Sequence, residues 1–173
     1  MIGLNIEDGE EELLLLPIDP ESQKLTYEYC LVGCFLTTSI INFLAMRNSM
    51  MNLWHFLGGV QISDLGEWRN LFNFFHEMDI EWVINRASWM FNSHLLVIHW
   101  LKKNENPIQV LLIFSAFWIQ VYDLSPGFFS EIMAKQLGNF IGRFLVYDRK
   151  QLKWGIKNYL KIRVELDVTR PLK

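Results

Sequence analysis

Between Tyr29 and Met46 the chain carries no charged residue, and this run constrains the fold more than any other feature. A stretch of roughly 20 apolar residues is long enough to cross a bilayer as a helix. Its middle, however, reads Thr37-Thr38-Ser39, with Asn42 just beyond. Such side chains accept hydrogen bonds from the free N–H groups that open a helix, so they cut the run in two. A strand is expected over 29–36 and a helix from about Ile40 to Phe56. No membrane association is expected.

The residues that follow extend this pattern. Tyr29 to Leu36 is apolar on both faces, as a central strand requires. Phe43, Met46, Met50, Leu53, Trp54 and Leu57 recur at three- and four-residue steps and give the helix a buried side, with Gly58-Gly59 as its stop. A strand over Val60–Ser63, a turn at Asp64–Gly66 and a strand over Leu71–His76 come next. Asp79 is placed to cap a short helix through Ile80, Val83, Ile84 and Ala87, and a strand over His94–Leu101 follows. The order is βαββαβ. It predicts an α+β fold, a ferredoxin-like or RRM-like antiparallel sheet with two helices on one face.

After a polar connector, Lys102 to Pro107, residues 102–173 predict a βαββ extension packed on the first unit. It comprises a strand over Phe117–Asp123, a helix from about Phe129 to Ile141 closed by Gly142, and strands over Phe144–Tyr147 and Tyr159–Val168. In the last of these, Leu160, Ile162, Val164, Leu166 and Val168 alternate with polar residues, the mark of a half-buried strand. The expected organisation is an arm over 1–28, a ferredoxin-like unit over 29–101 and the extension over 102–173. A short edge strand is expected at Leu13–Leu16.

Composition matters chiefly through charge and aromatics. The net charge of −3 conceals a gradient. Glu7, Asp8, Glu10, Glu11, Glu12, Asp19, Glu21 and Glu28 oppose Lys24 alone, whereas residues 143–173 are rich in Lys and Arg. The chain therefore has an acidic arm and a basic face. Thirteen Phe and seven Trp exclude a disordered polymer and could exceed what one small core buries. Cys30 and Cys34, four apart on one strand, suit a reducing compartment, and the acidic N-terminus does not resemble a secretory signal. An intracellular location, nucleus or cytoplasm, is expected.

No arrangement of residues suggests catalysis. His94 and His99 fall on opposite faces of a strand, and His76-Glu77 lacks the second histidine of a zinc-protease helix. No phosphate loop or nucleophile elbow is visible, so no enzyme, metal, cofactor or small-molecule substrate is expected. Two surfaces are candidates for nucleic acid. In the strand Asn70–Glu77, Phe72 and Phe74 occupy the positions where an RNA-recognition motif stacks bases; the other reading buries them. Toward the carboxyl end, Lys153, Lys157, Lys161 and Arg163 surround Trp154 and Tyr159. Cations among aromatics suit single-stranded RNA or DNA, though Glu165 and Asp167 dilute the charge and an ordinary solvated face is the alternative. A protein partner or self-association is the competing reading.

Several runs carry a resemblance: Leu31-Val32-Gly33 with Phe35-Leu36, Asp64-Leu65-Gly66, His76-Glu77-Met78-Asp79, and Trp89 with Phe91. His94-Leu95-Leu96-Val97, Phe117-Trp118-Ile119-Gln120-Val121, Gln136 to Gly142 and Ile162-Arg163-Val164 extend it. Over about residues 24–173 the chain resembles a plant family, domain of unknown function 4283. The resemblance implies a retrotransposon-derived, nucleic-acid-associated domain that precedes a CCHC zinc knuckle, and it brings no enzymatic activity. Departures are Ser88 before Trp89, Ala116 before Phe117-Trp118, and Ser125 where a proline is usual. The sequence given stops at Lys173, short of any knuckle, and Cys30 and Cys34 cannot supply one.

Overall fold

The computed structural model describes residues 28–55, 57–149 and 158–172. The acidic arm up to Tyr27 and the edge strand expected at Leu13–Leu16 lie outside them. Among the described residues no helix is long and apolar enough to cross a membrane. The uncharged run divides as its polar middle predicts, into strand β1 (Cys30–Phe35) and helix α1 (Phe43–Leu53). The cap is Asn42, whose side chain accepts from the Ala45 N–H at 3.0 Å, so the helix opens three residues later than expected. It also ends sooner, with Trp54 at its C-cap.

Strands β2 (Val60–Gly66) and β3 (Arg69–Phe74) form a hairpin, helix α2 spans Glu77–Asn85, and β4 (Trp89–Phe91) and β5 (His94–Trp100) form a second hairpin. Neighbouring strands pair antiparallel in the order β2-β3-β1-β5-β4. The β2–β3 turn is Glu67–Trp68, not Asp64–Gly66: Asp64 and Gly66 form a bulge within β2. Glu67 and Trp68 both have positive φ, 51° and 68°, the backbone that a two-residue hairpin with right-twisted strands needs. The β4–β5 hairpin was not expected; its turn, Asn92–Ser93, likewise has positive φ at both residues.

One face of this sheet packs on both helices. Leu31, Phe35, Ile62, Phe72, Phe74 and Leu96 meet Met46, Met50 and Trp54 from α1 and Ile80 and Val83 from α2. Trp54 is the centre, fully buried, with ring centroids of Phe72, Trp89 and Phe74 at 5.2, 5.6 and 5.8 Å. Asp79 does not cap its own helix. Its buried carboxylate accepts from the N–H groups of Leu57 and Gly58 at 3.3 and 3.0 Å and so ties the start of α2 to the chain after α1.

The opposite face is aliphatic and is covered by the connector. Cys30, Val32 and Leu101 pack with Leu65, Leu71, Val110 and Leu112. Arg69 pins the connector by donating to the carbonyls of Pro107 and Val110 at 3.0 and 2.7 Å, and His99 meets Glu105 at 2.7 Å. The Lys102 backbone N–H and His99 together hold the Glu105 carboxyl below its usual range.

The second sheet contains β6 (Phe114–Tyr122), β7 (Arg143–Tyr147) and β8 (Tyr159–Asp167), antiparallel in the order β6-β8-β7. A single turn of 3-10 helix (Pro126–Phe128) and helix α3 (Glu131–Ile141) join β6 to β7. Ser130 caps α3 by accepting from the Met133 N–H at 3.2 Å, and Gly142 closes it. Ala134, Leu137 and Ile141 pack on Ile119, Leu160, Ile162 and Val164. A Cβ at Gly142 would stand 2.4 Å from the Glu165 carbonyl oxygen, so glycine permits the helix to end against β8.

Candidate nucleic-acid interface

Because α3 covers one face of the second sheet, strict alternation along β6 and β8 sends the other residues to the outer face. The register sets them in rungs: Tyr122 opposite Tyr159, Gln120 opposite Lys161, and Trp118 opposite Arg163. Successive rungs stand about 7 Å apart, the rise of two strand residues. The Tyr122 and Tyr159 rings lie 5.2 Å apart, tilted by 49°. The Lys161 ammonium sits 5.0 Å from the centre of the Trp118 ring and the Arg163 guanidinium 6.0 Å, cations held against an aromatic face. Tyr122 is 56% exposed and Trp118 40%, and the Tyr122 hydroxyl donates to Gln120 at 2.6 Å.

The face is closed at one end. Arg163 is 8% exposed and donates through Nη2 to the carbonyls of Ile84 and Ala87, at the end of α2. Burial pulls its pKa below the ordinary guanidinium value. Beyond it, Glu165 pairs with Arg143 at 2.8 Å, which ties up the nearest acidic group of the strand. The remaining surface, from Trp118 to Tyr122 and Tyr159, combines flat aromatic rings with a cation. Such a surface can stack bases and neutralise phosphate.

The residues singled out in the sequence divide accordingly. Tyr159, Lys161 and Arg163 do share one face, but Arg163 is turned into the joint with α2 and is a packing residue, a correction to its expected role. Phe72 and Phe74 are also corrected. They are 0% and 2% exposed, since on β3 they face the helices and not the open side. The other side of β3 presents Arg69, Leu71 and Asn73, under or beside the connector, so it offers no aromatic platform. Lys153, Trp154 and Lys157 lie outside the described residues. Trp118, Gln120 and Tyr122 were missed. Their signal was the alternation of β6 itself, Ile119 and Val121 in and their neighbours out.

Neither Cys30 nor Cys34 is in a disulfide; the Cys30 thiol approaches Asn73 Oδ1 at 3.4 Å. Burial pushes the Cys30 thiol up to about 11 and raises Cys34 as well, against a lowering influence from Arg69. Among the described residues, no three His, Cys, Asp or Glu side chains group as metal ligands.

Two antiparallel sheets, each backed by helix on one side, define an α+β protein. The chain belongs to the family described as Domain of unknown function (DUF4283), whose model matches residues 23–109. That range takes in the first sheet and ends within the connector. No curated protein matches the chain.

Proposed function

We propose that this is a non-catalytic, intracellular module that binds single-stranded nucleic acid on the outer face of its second sheet. The observation that carries the reading is the ladder Tyr122–Tyr159, Gln120–Lys161 and Trp118, in which a cation lies over an exposed indole. Stacking on the rings and phosphate contact with Lys161 would supply affinity with little sequence preference. The order β2-β3-β1-β5 with both helices on one side supports a ferredoxin-like, RRM-like ancestry for the first unit. Its usual binding face is occupied by the connector, and the function has shifted to the second sheet. The resemblance to plant retroelement-encoded domains supports a retrotransposon origin, and two cysteines left out of any disulfide support a reducing compartment.

The test is binding of the purified chain to a fluorescent single-stranded oligonucleotide across salt concentrations. Trp118→Ala or Tyr122→Ala is expected to weaken binding about tenfold, the worth of one lost base stack. Lys161→Gln is expected to flatten the log–log salt slope by about 0.7. Unchanged affinity and slope in all three would remove the face from consideration.

A second reading, a protein-interaction surface, is favoured by α3, whose Ile132 and Phe140 are 71% and 65% exposed. A sedimentation or light-scattering mass that rises with concentration in the wild type, but not in Ile132→Ser/Phe140→Ser, is its expected signature.

A further inference from the structure

A cleft of about 240 Å³ opens where the β2–β3 turn meets the start of α1. Its walls include Phe35, Phe43 and Trp68, and its polar groups are Asp64, Glu67 and Asn70. Asn70 is the unusual member. It occupies a helix-facing position of β3, in line with Phe72 and Phe74, where an apolar side chain is the norm. Its register partners are Gly33, which has no side chain, and Asp64. Asn70 is 9% exposed, and its carboxamide lines the cleft. A polar amide set in a cleft whose other walls are apolar and acidic is placed to bind a group that enters from outside.

The surrounding chemistry says what that partner is. Asp64 Oδ1 accepts from the Gly66 N–H at 2.8 Å, which fixes the carboxylate. Glu67 and Trp68 are held at the turn by paired left-handed backbone, leaving the indole 59% exposed. No Lys, Arg or His is among the residues that line the cleft. Two carboxylates, an amide oxygen and aromatic faces form a receptor for a cation with an apolar rim, because ring quadrupoles and fixed anions both attract such a group once it is desolvated. Phosphate would be repelled here, so the site is separate from the nucleic-acid face.

We propose that this cleft binds a substituted ammonium group, that of a lysine or N-alkylated lysine side chain of a peptide. The trimethylated ammonium is the best fit, as it sheds its hydration most readily and offers the largest surface to the rings. A free lysine ammonium binds more weakly, and an anion does not bind.

The experiment is a titration of the full chain with N-acetyl-trimethyllysine amide, N-acetyl-lysine amide and the neutral isostere in which carbon replaces the quaternary nitrogen. The readout is the Trp68 indole N–H resonance, identified by its absence in Trp68→Phe. The charged trimethyl probe is expected to give a saturable shift, with the neutral isostere at least about tenfold weaker. Asp64→Asn keeps the acceptor for Gly66 and is expected to weaken the charged probe roughly tenfold while leaving the isostere unaffected. Equal binding of charged and neutral probes, or no shift with either, overturns the proposal. Loss of oligonucleotide binding has no bearing on it, and the Trp118→Ala variant is expected to bind the ammonium probe normally.

Discussion

Arg163 on β8 donates to the backbone carbonyl of Ile84 at the end of α2, and in doing so ties the second sheet to the helical layer of the first. It makes no ion pair among the described residues; instead it meets the carbonyl-rich end of a helix, where the macrodipole favours a cation. Its Nε has no hydrogen-bond partner among the described residues, so the joint is held through Nη2. Arg163→Ala is expected to destabilise the chain by about 2–3 kcal/mol, since it removes a buried charge-assisted donor and with it the joint. The midpoint of urea unfolding measures this. An unshifted midpoint would show that the joint contributes nothing.

Trp54 separates packing from hydrogen bonding at one residue. Its indole N–H is buried without a partner among the described residues, while its rings touch Phe72, Phe74 and Trp89. Trp54→Ala is expected to cost about 3–5 kcal/mol or to prevent folding. Trp54→Phe loses less, about 1–2 kcal/mol, because it discards an unsatisfied donor together with part of the ring. Thermal unfolding of the two variants in parallel decides the point. Equal losses would mean that the N–H is satisfied.

Gly142 and Gly127 provide a matched pair. A methyl at Gly142 meets the Glu165 carbonyl oxygen at 2.4 Å, backbone that cannot swing aside, whereas one at Gly127 meets nothing within 4 Å. Gly142→Ala is expected to destabilise by about 1–3 kcal/mol and Gly127→Ala by less than about 0.5 kcal/mol. Denaturant midpoints give both values.

The Cys30 thiol has a pH signature. Its folded pKa, raised from 9.0 to about 11 by burial, lies above that of the unfolded chain. The neutral thiol therefore contributes stability fully below pH 9, and this contribution is lost as pH rises toward 11. The stability difference between wild type and Cys30→Ala is expected to shrink across that window. Alkylation of Cys34, which is only half-buried, should outpace that of Cys30 at pH 8 by mass spectrometry. A difference that stays constant with pH would place the Cys30 thiol in contact with solvent.

Sequence reasoning located the elements that obey a simple period. β8 alternates without a break and α3 is periodic and closed by Gly142, so both were legible. The β2–β3 turn was not, because Asp64 and Gly66 look like turn residues but serve a bulge, while the turn falls on Glu67–Trp68, residues with no preference for positive φ. Which face of β3 carries the helices was also illegible. Period two separates Phe72 and Phe74 from Leu71 and Asn73, but only the tertiary packing of Trp54 decides which set is buried. The interface suffered in reverse: Tyr159 and Lys161 were visible on their own strand, whereas Trp118 and Tyr122 joined them only through cross-strand register.

The connector over 102–113 is both a link and a lid, since Val110 and Leu112 seal the aliphatic face that Val32 and Leu71 present. The family match ends at Gln109, inside this seal. The limit of the family match and the limit of the packed cover thus fall at different places. A fragment cut at the homology boundary would leave a greasy, uncovered sheet prone to clumping, while one carried through Ile113 would keep its own cover. The segment the family match covers is thus shorter than the segment that covers its own sheet.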